Sequence, residues 1–164
     1  MTELDDIASL EAELGRIIAA VSPDQRRALA MRIGRDLRRS QSRRIAAQLN
    51  PEGTPFAPRK PKEHGRDRRG GIKRRAKAGP MFRKLRSMRW LTMEATSQEV
   101  AIGFANSSAA RIALVHQKGL RDRVSRKPGA PEVTYAARGI LGFTAAETAH
   151  ILDMVAEQLA GGVG

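Results

Sequence analysis

The chain contains no cysteine, one tryptophan and one tyrosine, and aromatic residues make up only 4% of it. Without cysteine there is no disulfide framework, no thiol nucleophile and no cysteine-ligated zinc site. Scarce aromatics mean that any core is aliphatic and small. No apolar stretch approaches the roughly 20 residues of a membrane span. The first residues are acidic (Glu3, Asp5, Asp6) rather than a basic n-region before an apolar run, so no secretory signal is expected. The expected setting is cytosolic.

What the chain has in excess is positive charge. It holds 30 Lys and Arg against 17 Asp and Glu in 164 residues, a formal charge of +13. The surplus is local. Residues 1–24 carry a net −5, residues 25–127 a net +21 and residues 128–164 a net −3. A basic block of this size points to a polyanion or an acidic protein surface as partner. With 41% hydrophobic residues the chain can still build a core. Its length fits one ordinary domain.

Residues 3–21 read as a helix, because Leu4, Ile7, Leu10, Leu14, Ile17 and Val21 recur at steps of three and four. Ser22 and Pro23 then stop it and start a second helix, with Ser22 as N-cap and Pro23 in the first helical position. This second helix is predicted over 23–49. It has an apolar face (Leu29, Ile33, Leu37, Ile45, Leu49) and a cationic one (Arg32, Arg35, Arg39, Arg43). The acidic first helix matches the basic second one in charge. The two can form a hairpin within one subunit or pair between subunits.

Residues 50–79 change character. Proline and glycine recur, bases are dense and apolar anchors almost cease after Phe56. Such a segment cannot offset its own ordering entropy, so it reads as an extended basic arm that becomes ordered against a partner.

An α+β region follows. Met81–Arg86 reads as a helical turn. Trp90–Ala95 and Glu99–Phe104 read as paired strands around Thr96-Ser97-Gln98. Asn106 or Ser107 caps a helix to Lys118, with Ile112 and Val115 inward and Gly119 as its stop. Residues 120–131 form a second basic loop, and Val133–Tyr135 a short strand. Thr144 and Glu147 have capping-box spacing before a last helix to about Ala160, with Ile151, Leu152, Val155 and Leu159 on its apolar side. The expected fold is therefore α+β: an N-terminal helical hairpin (1–49), an extended basic arm (50–79) and a small antiparallel sheet packed with two helices (80–164).

Catalysis finds little support. None of His64, His116 and His150 has a metal-ligand neighbour at helical spacing, and His116 is read as structural. Glu94 and Glu99 flank a turn and read as solvated. Gly70-Gly71 lacks the context of a phosphate loop. Trp90, Phe82 and Phe104 fall where a small core needs them. No catalytic, cofactor-binding or metal-binding residue is expected. One alternative rests on the charge: a small basic DNA- or RNA-binding protein whose phosphate contacts weaken steeply with salt.

Four local patterns occur in order: Pro51-Glu52-Gly53-Thr54-Pro55-Phe56-Ala57-Pro58-Arg59-Lys60, Met81-Phe82-Arg83-Lys84-Leu85-Arg86, Val115-His116-Gln117-Lys118-Gly119-Leu120-Arg121-Asp122-Arg123, and Tyr135-Ala136-Ala137-Arg138-Gly139-Ile140-Leu141-Gly142-Phe143. This series resembles the phage virion morphogenesis family, the tail completion proteins of contractile-tailed phages and their prophages, over residues 25–160. One departure is Ala136, where the pattern has Pro. The resemblance implies a structural, non-catalytic role in the virion, after assembly in the host cytoplasm. It implies a homo-oligomeric ring, hexameric, that finishes the tail tube and lets the filled head dock at the neck. The implied partners are tail tube and head-side connector proteins, with non-specific contact to packaged DNA allowed. The interface residues expected are Arg59, Lys60, Arg68, Arg69, Arg74 and Arg75 in the arm, and Arg121, Arg123 and Arg126 in the second loop.

Overall fold

The computed structural model describes residues 21–59, 79–125 and 127–161. The first helix expected over 3–21, apart from Val21, and most of the arm lie outside the described residues. The described elements are α1 (Pro23–Ala46), β1 (Leu91–Ala95), β2 (Val100–Phe104), α2 (Ser107–Lys118), β3 (Arg121–Arg123), β4 (Glu132–Thr134) and α3 (Ala145–Gly161). The fold is α+β, with two antiparallel hairpins, β1–β2 and β3–β4.

The start of α1 follows from its first four residues. The Ser22 hydroxyl accepts the Gln25 N–H at 3.2 Å, and the Ser22 N–H donates to Gln25 Oε1 at 2.8 Å. With Pro23 in the first turn, this satisfies donors that a helix start otherwise leaves open. The helix ends at Ala46, three residues short of the expected Leu49. Gln48 takes a left-handed conformation (φ 62°). The Gln48 N–H donates to Ile45 O and the Leu49 N–H to Arg44 O, which is the Schellman closure. Glycine usually occupies that position, since a side chain there costs about 1–2 kcal/mol. Gln48 offsets the cost with its amide. Nε2 donates to Ile45 O (2.7 Å) and Met81 O (3.0 Å), and Oε1 accepts the Met81 N–H (2.7 Å).

The buried face of α1 comprises Ala30, Ile33, Gly34, Leu37, Gln41, Arg44 and Ile45, while Arg32, Arg35, Arg39 and Arg43 are exposed, as their spacing predicts. A Cβ on Gly34 would lie 2.8 Å from Met93 Cε, so glycine lets the β1–β2 hairpin sit directly on the helix. That hairpin pairs Leu91 with Phe104 through Ala95 with Val100. The Thr96 hydroxyl accepts the Gln98 and Glu99 N–H groups and shapes its turn.

Two apolar clusters meet along α1. Ile45 joins Leu85, Ala109, Ala113 and Ile140, with Phe82, Trp90 and Phe104 against them. Ile33 and Leu37 join Met154, with Val100, Ile102 and Ile151 against them. Phe82, Trp90 and Phe104 thus serve the core, as their positions predict.

Two inward assignments are corrected. On α2, capped by Asn106 Oδ1 on the Ala109 N–H (2.9 Å), Ala109 and Ala113 face the core and Ile112 is 47% exposed. The opposing cluster already carries Ile45, Leu85 and Ile140, so alanines allow close approach. On α3 the Thr144–Glu147 capping box forms as expected. Met154 is inward there and Leu152 is 63% exposed, because two residues along a helix turn about 200°.

Residues 50–59, which open the stretch read as an arm, are anchored to the core through Phe56, while residues 52–55, 58 and 59 stay exposed. Leu49 bridges Pro55, the Asn50 N–H donates to Thr54 O, and Phe56 is buried. The second basic loop contains strand β3, which pairs Arg121 with Thr134 and Arg123 with Glu132.

Pro51 lies against the segment before α3. A Cβ on Gly142, at φ 151°, would stand 2.6 Å from Pro51 Cγ. Gly142→Ala is expected to destabilise the protein by about 1–3 kcal/mol, the usual effect of overpacking. Gly103→Ala has open space around it and should be neutral or stabilising by up to about 1 kcal/mol. Urea unfolding of the two variants checks both outcomes.

Candidate assembly surface

The four sequence patterns converge in space, and each contributes one ring to a continuous stack. Phe56 meets Phe82 edge-on with centroids 5.7 Å apart, Phe82 meets His116 at 4.9 Å, and His116 meets Tyr135 at 4.8 Å. Such tilted pairs suit the ring quadrupoles.

Arg138 sits at the same junction and is 5% exposed. Its Nε donates to Ala57 O (2.7 Å), Nη2 to Pro58 O (3.0 Å), and Nη1 to Ala136 O (3.1 Å) and His116 Nδ1 (3.0 Å). His116 Nδ1 therefore accepts, and its proton resides on Nε2. Burial, then the charges of Arg138 and Arg59, push the His116 pKa down to about 4. The ring is neutral and structural at pH 7, in line with its sequence reading. Burial and the Arg59 charge also lower the Arg138 pKa.

Arg44 performs a parallel task. Nη1 donates to Leu49 O and Gly139 O, and Nη2 to Ile140 O. Burial lowers its pKa, while Glu147 and Glu52 oppose the shift. Sequence reasoning did not single out either buried arginine. For Arg44 a signal was present, since it lies seven residues from Leu37 and hence on the apolar face. Arg138 left no such trace.

On this scaffold the expected interface residues separate. Arg59 is exposed where the described segment ends. It borders an open depression with Pro80, Phe82, Arg83, Lys84 and Ile112. Arg83 and Lys84 were not among the expected residues. Arg121 and Arg123 stand together on one face of the β3–β4 hairpin and share Glu132, at 3.3 and 3.7 Å. Both are largely exposed, so these ion pairs contribute little stability. Asp122 points the other way and receives a two-pronged bond from Arg111 of α2. That bond and the Arg123 N–H hold its carboxyl below the usual range. Lys60, Arg68, Arg69, Arg74, Arg75 and Arg126 lie outside the described residues.

Among the described residues no group of three or more acidic or histidine side chains is placed to hold a metal, and no helix is long and apolar enough to cross a membrane. Exposed cations beside an apolar depression can receive a carboxylate-bearing protein surface or a phosphate backbone.

The model of the phage virion morphogenesis family matches residues 5–160 of this chain. The chain is 35% identical over 156 residues to tail completion protein S of Escherichia phage P2, covering 95% of this chain and 99% of that protein. No solved structure matches the chain.

Two outcomes follow from the buried junction. Arg138→Met leaves the Ala57, Pro58 and Ala136 carbonyls without their donor and should cost about 3 kcal/mol or more, at about 1–3 kcal/mol per buried unmet group. Arg121→Met, on the exposed hairpin face, should change stability by less than about 1 kcal/mol. Chemical denaturation separates them. His116 is held neutral in the fold, whereas the unfolded chain takes up its proton near pH 6.5, so acid favours unfolding. Stability should be lost progressively as pH falls from about 6.5 toward 4 and be unaffected by this group above that window. His116→Phe should flatten that part of the profile, read as the urea midpoint against pH.

Proposed function

The chain belongs to the phage virion morphogenesis family, and from that premise we propose that it is a structural, non-catalytic virion protein that completes the phage tail. The observation that carries this reading is the end-to-end likeness to a named tail completion protein. In the finer form of the proposal, the protein is a subunit of a homo-oligomeric ring, hexameric, at the neck. It caps the tail tube and presents a surface on which the head-side connector docks. Subunits in such a ring bond head to tail, so each uses two different surfaces.

The placement of charge supports this reading. Arg59, Arg83 and Lys84 surround a depression with an apolar rim, and Arg121 and Arg123 project from a short hairpin braced on α2 by Arg111. In the proposal these surfaces, continued by Lys60, Arg68, Arg69, Arg74, Arg75 and Arg126, take up acidic faces of neighbouring subunits and tail or head proteins. The α+β core supplies the rigid body. Packaged DNA passing the ring meets the same cations without sequence readout.

Sedimentation and electron microscopy of the full chain should show a ring. Replacing Arg59, Lys60, Arg68, Arg69, Arg74 and Arg75 by Glu should yield monomers with the melting temperature of the core retained. Ring formation unaffected by that reversal defeats the role of the arm, and particles whose heads and tails join normally without this protein defeat tail completion itself. Tight binding of a short duplex, falling steeply with salt and with no ring at any condition, would favour a nucleic-acid-binding protein instead.

A further inference from the structure

Helices α1 and α3 leave a groove between them, walled by Ile33, Leu37, Arg39 and Arg43 on one side and by Ile151 and Met154 on the other. Its two carboxylates are engaged. Asp36 lies 3.6 Å from His150 Nε2, and Glu147 Oε2 accepts the Thr144 N–H. Arg39 and Arg43, which line it, and Arg32, seven residues before Arg39 on the same edge of α1, are exposed and form no ion pair with any described residue.

The chain before α1 has the composition to fit this edge. Residues 1–24 carry a net −5, and Leu4, Ile7, Leu10, Leu14 and Ile17 form one stripe. Val21, the last member of that stripe, is 5% exposed, so the stripe already turns inward where the described residues begin. Length agrees as well. As a helix, residues 3–20 extend about 27 Å, the same as residues 23–40 of α1, at about 1.5 Å per residue.

Register makes the match specific. Asp6 lies sixteen residues before Ser22, and Arg39 sixteen after Pro23. Glu13 lies nine before Ser22, and Arg32 nine after Pro23. A reversal at Ser22-Pro23 therefore brings Asp6 level with Arg39 and Glu13 level with Arg32 at once. Each pair is seven residues apart on its own segment, so each occupies one helix edge. Glu3 comes within one residue of level with Arg43.

We propose that residues 3–20 close the α1–α3 groove of their own chain, antiparallel to α1, with the leucine–isoleucine stripe inward and Asp6 and Glu13 over Arg39 and Arg32. Docking there neutralises the cationic edge of α1. The charge left for other proteins is then that of residues 59–86 and the β3–β4 hairpin. The occupant is a segment of the same chain, so this inference stands apart from the tail completion reading.

The absence of native cysteine makes the test direct. Asp6→Cys with Arg39→Cys, introduced into the full chain and mildly oxidised, should form an intrachain disulfide, located by peptide mass mapping. Its yield should exceed that of the off-register pair Asp6→Cys with Arg27→Cys by roughly tenfold or more, because bridging needs Cα atoms within about 7 Å. An interchain disulfide instead overturns the proposal in favour of a second copy, and a yield no higher than the control overturns the contact. In a second measurement, Asp6→Arg with Glu13→Arg should lower the melting temperature, and adding Arg32→Glu with Arg39→Glu should restore it. Failure to restore it also overturns the register.

Discussion

The buried guanidinium of Arg138 is the constraint on which the junction of the fold depends. Four segments that are distant in sequence meet there: residues 57–58, the 82 turn, the end of α2 and the strand-like segment after β4. Residues 57, 58 and 136, whose carbonyls accept from Arg138, lie outside regular secondary structure, so those carbonyls have no ladder partners. A planar group with five donors meets several carbonyls at once, which a lysine cannot do. Burying such a charge is tolerable because every contacted group is an acceptor. His116 has to remain neutral beside it, and the low pKa shows that the site enforces this. The ring stack from Phe56 to Tyr135 fills the apolar side of the same junction.

Arg44 repeats the solution one layer away, on the carbonyls of Leu49, Gly139 and Ile140. Pro51 then packs on the glycines 139 and 142. A fold with few aromatics and no disulfide thus draws its loop order from donated hydrogen bonds. The formal charge of +13 accordingly has two components. One is internal and structural. The other is displayed, and in the proposed function it faces acidic neighbours.

That division explains why the four sequence patterns keep company. They are not four separate contact sites. They are the four walls of one junction, and their displayed cations (Arg59, Arg83, Lys84, Arg121, Arg123) ride on its outer side. In the proposed ring, interface positions need such a rigid base, because a charge on a mobile loop spends interaction energy on ordering itself.

Much of the local structure was legible in the chain itself. The Ser22–Gln25 start of α1, the Asn106 and Gly119 ends of α2, the Thr144–Glu147 box, the β1–β2 hairpin and the exposed arginine edge of α1 all depend on residues within one or two turns of each other. Short-range hydrogen bonds and periodicity are properties of the sequence alone. The tertiary structure decided the rest. It placed alanines rather than Ile112 inward on α2, turned Leu152 out, ended α1 at Ala46 through the contact between Gln48 and Met81, and anchored residues 50–59 to the core through Phe56. Among the described cationic residues it also selected Arg44 and Arg138 for burial. Those choices depend on which carbonyls and which large side chains arrive from 30 to 100 residues away, and no local pattern encodes that arrival.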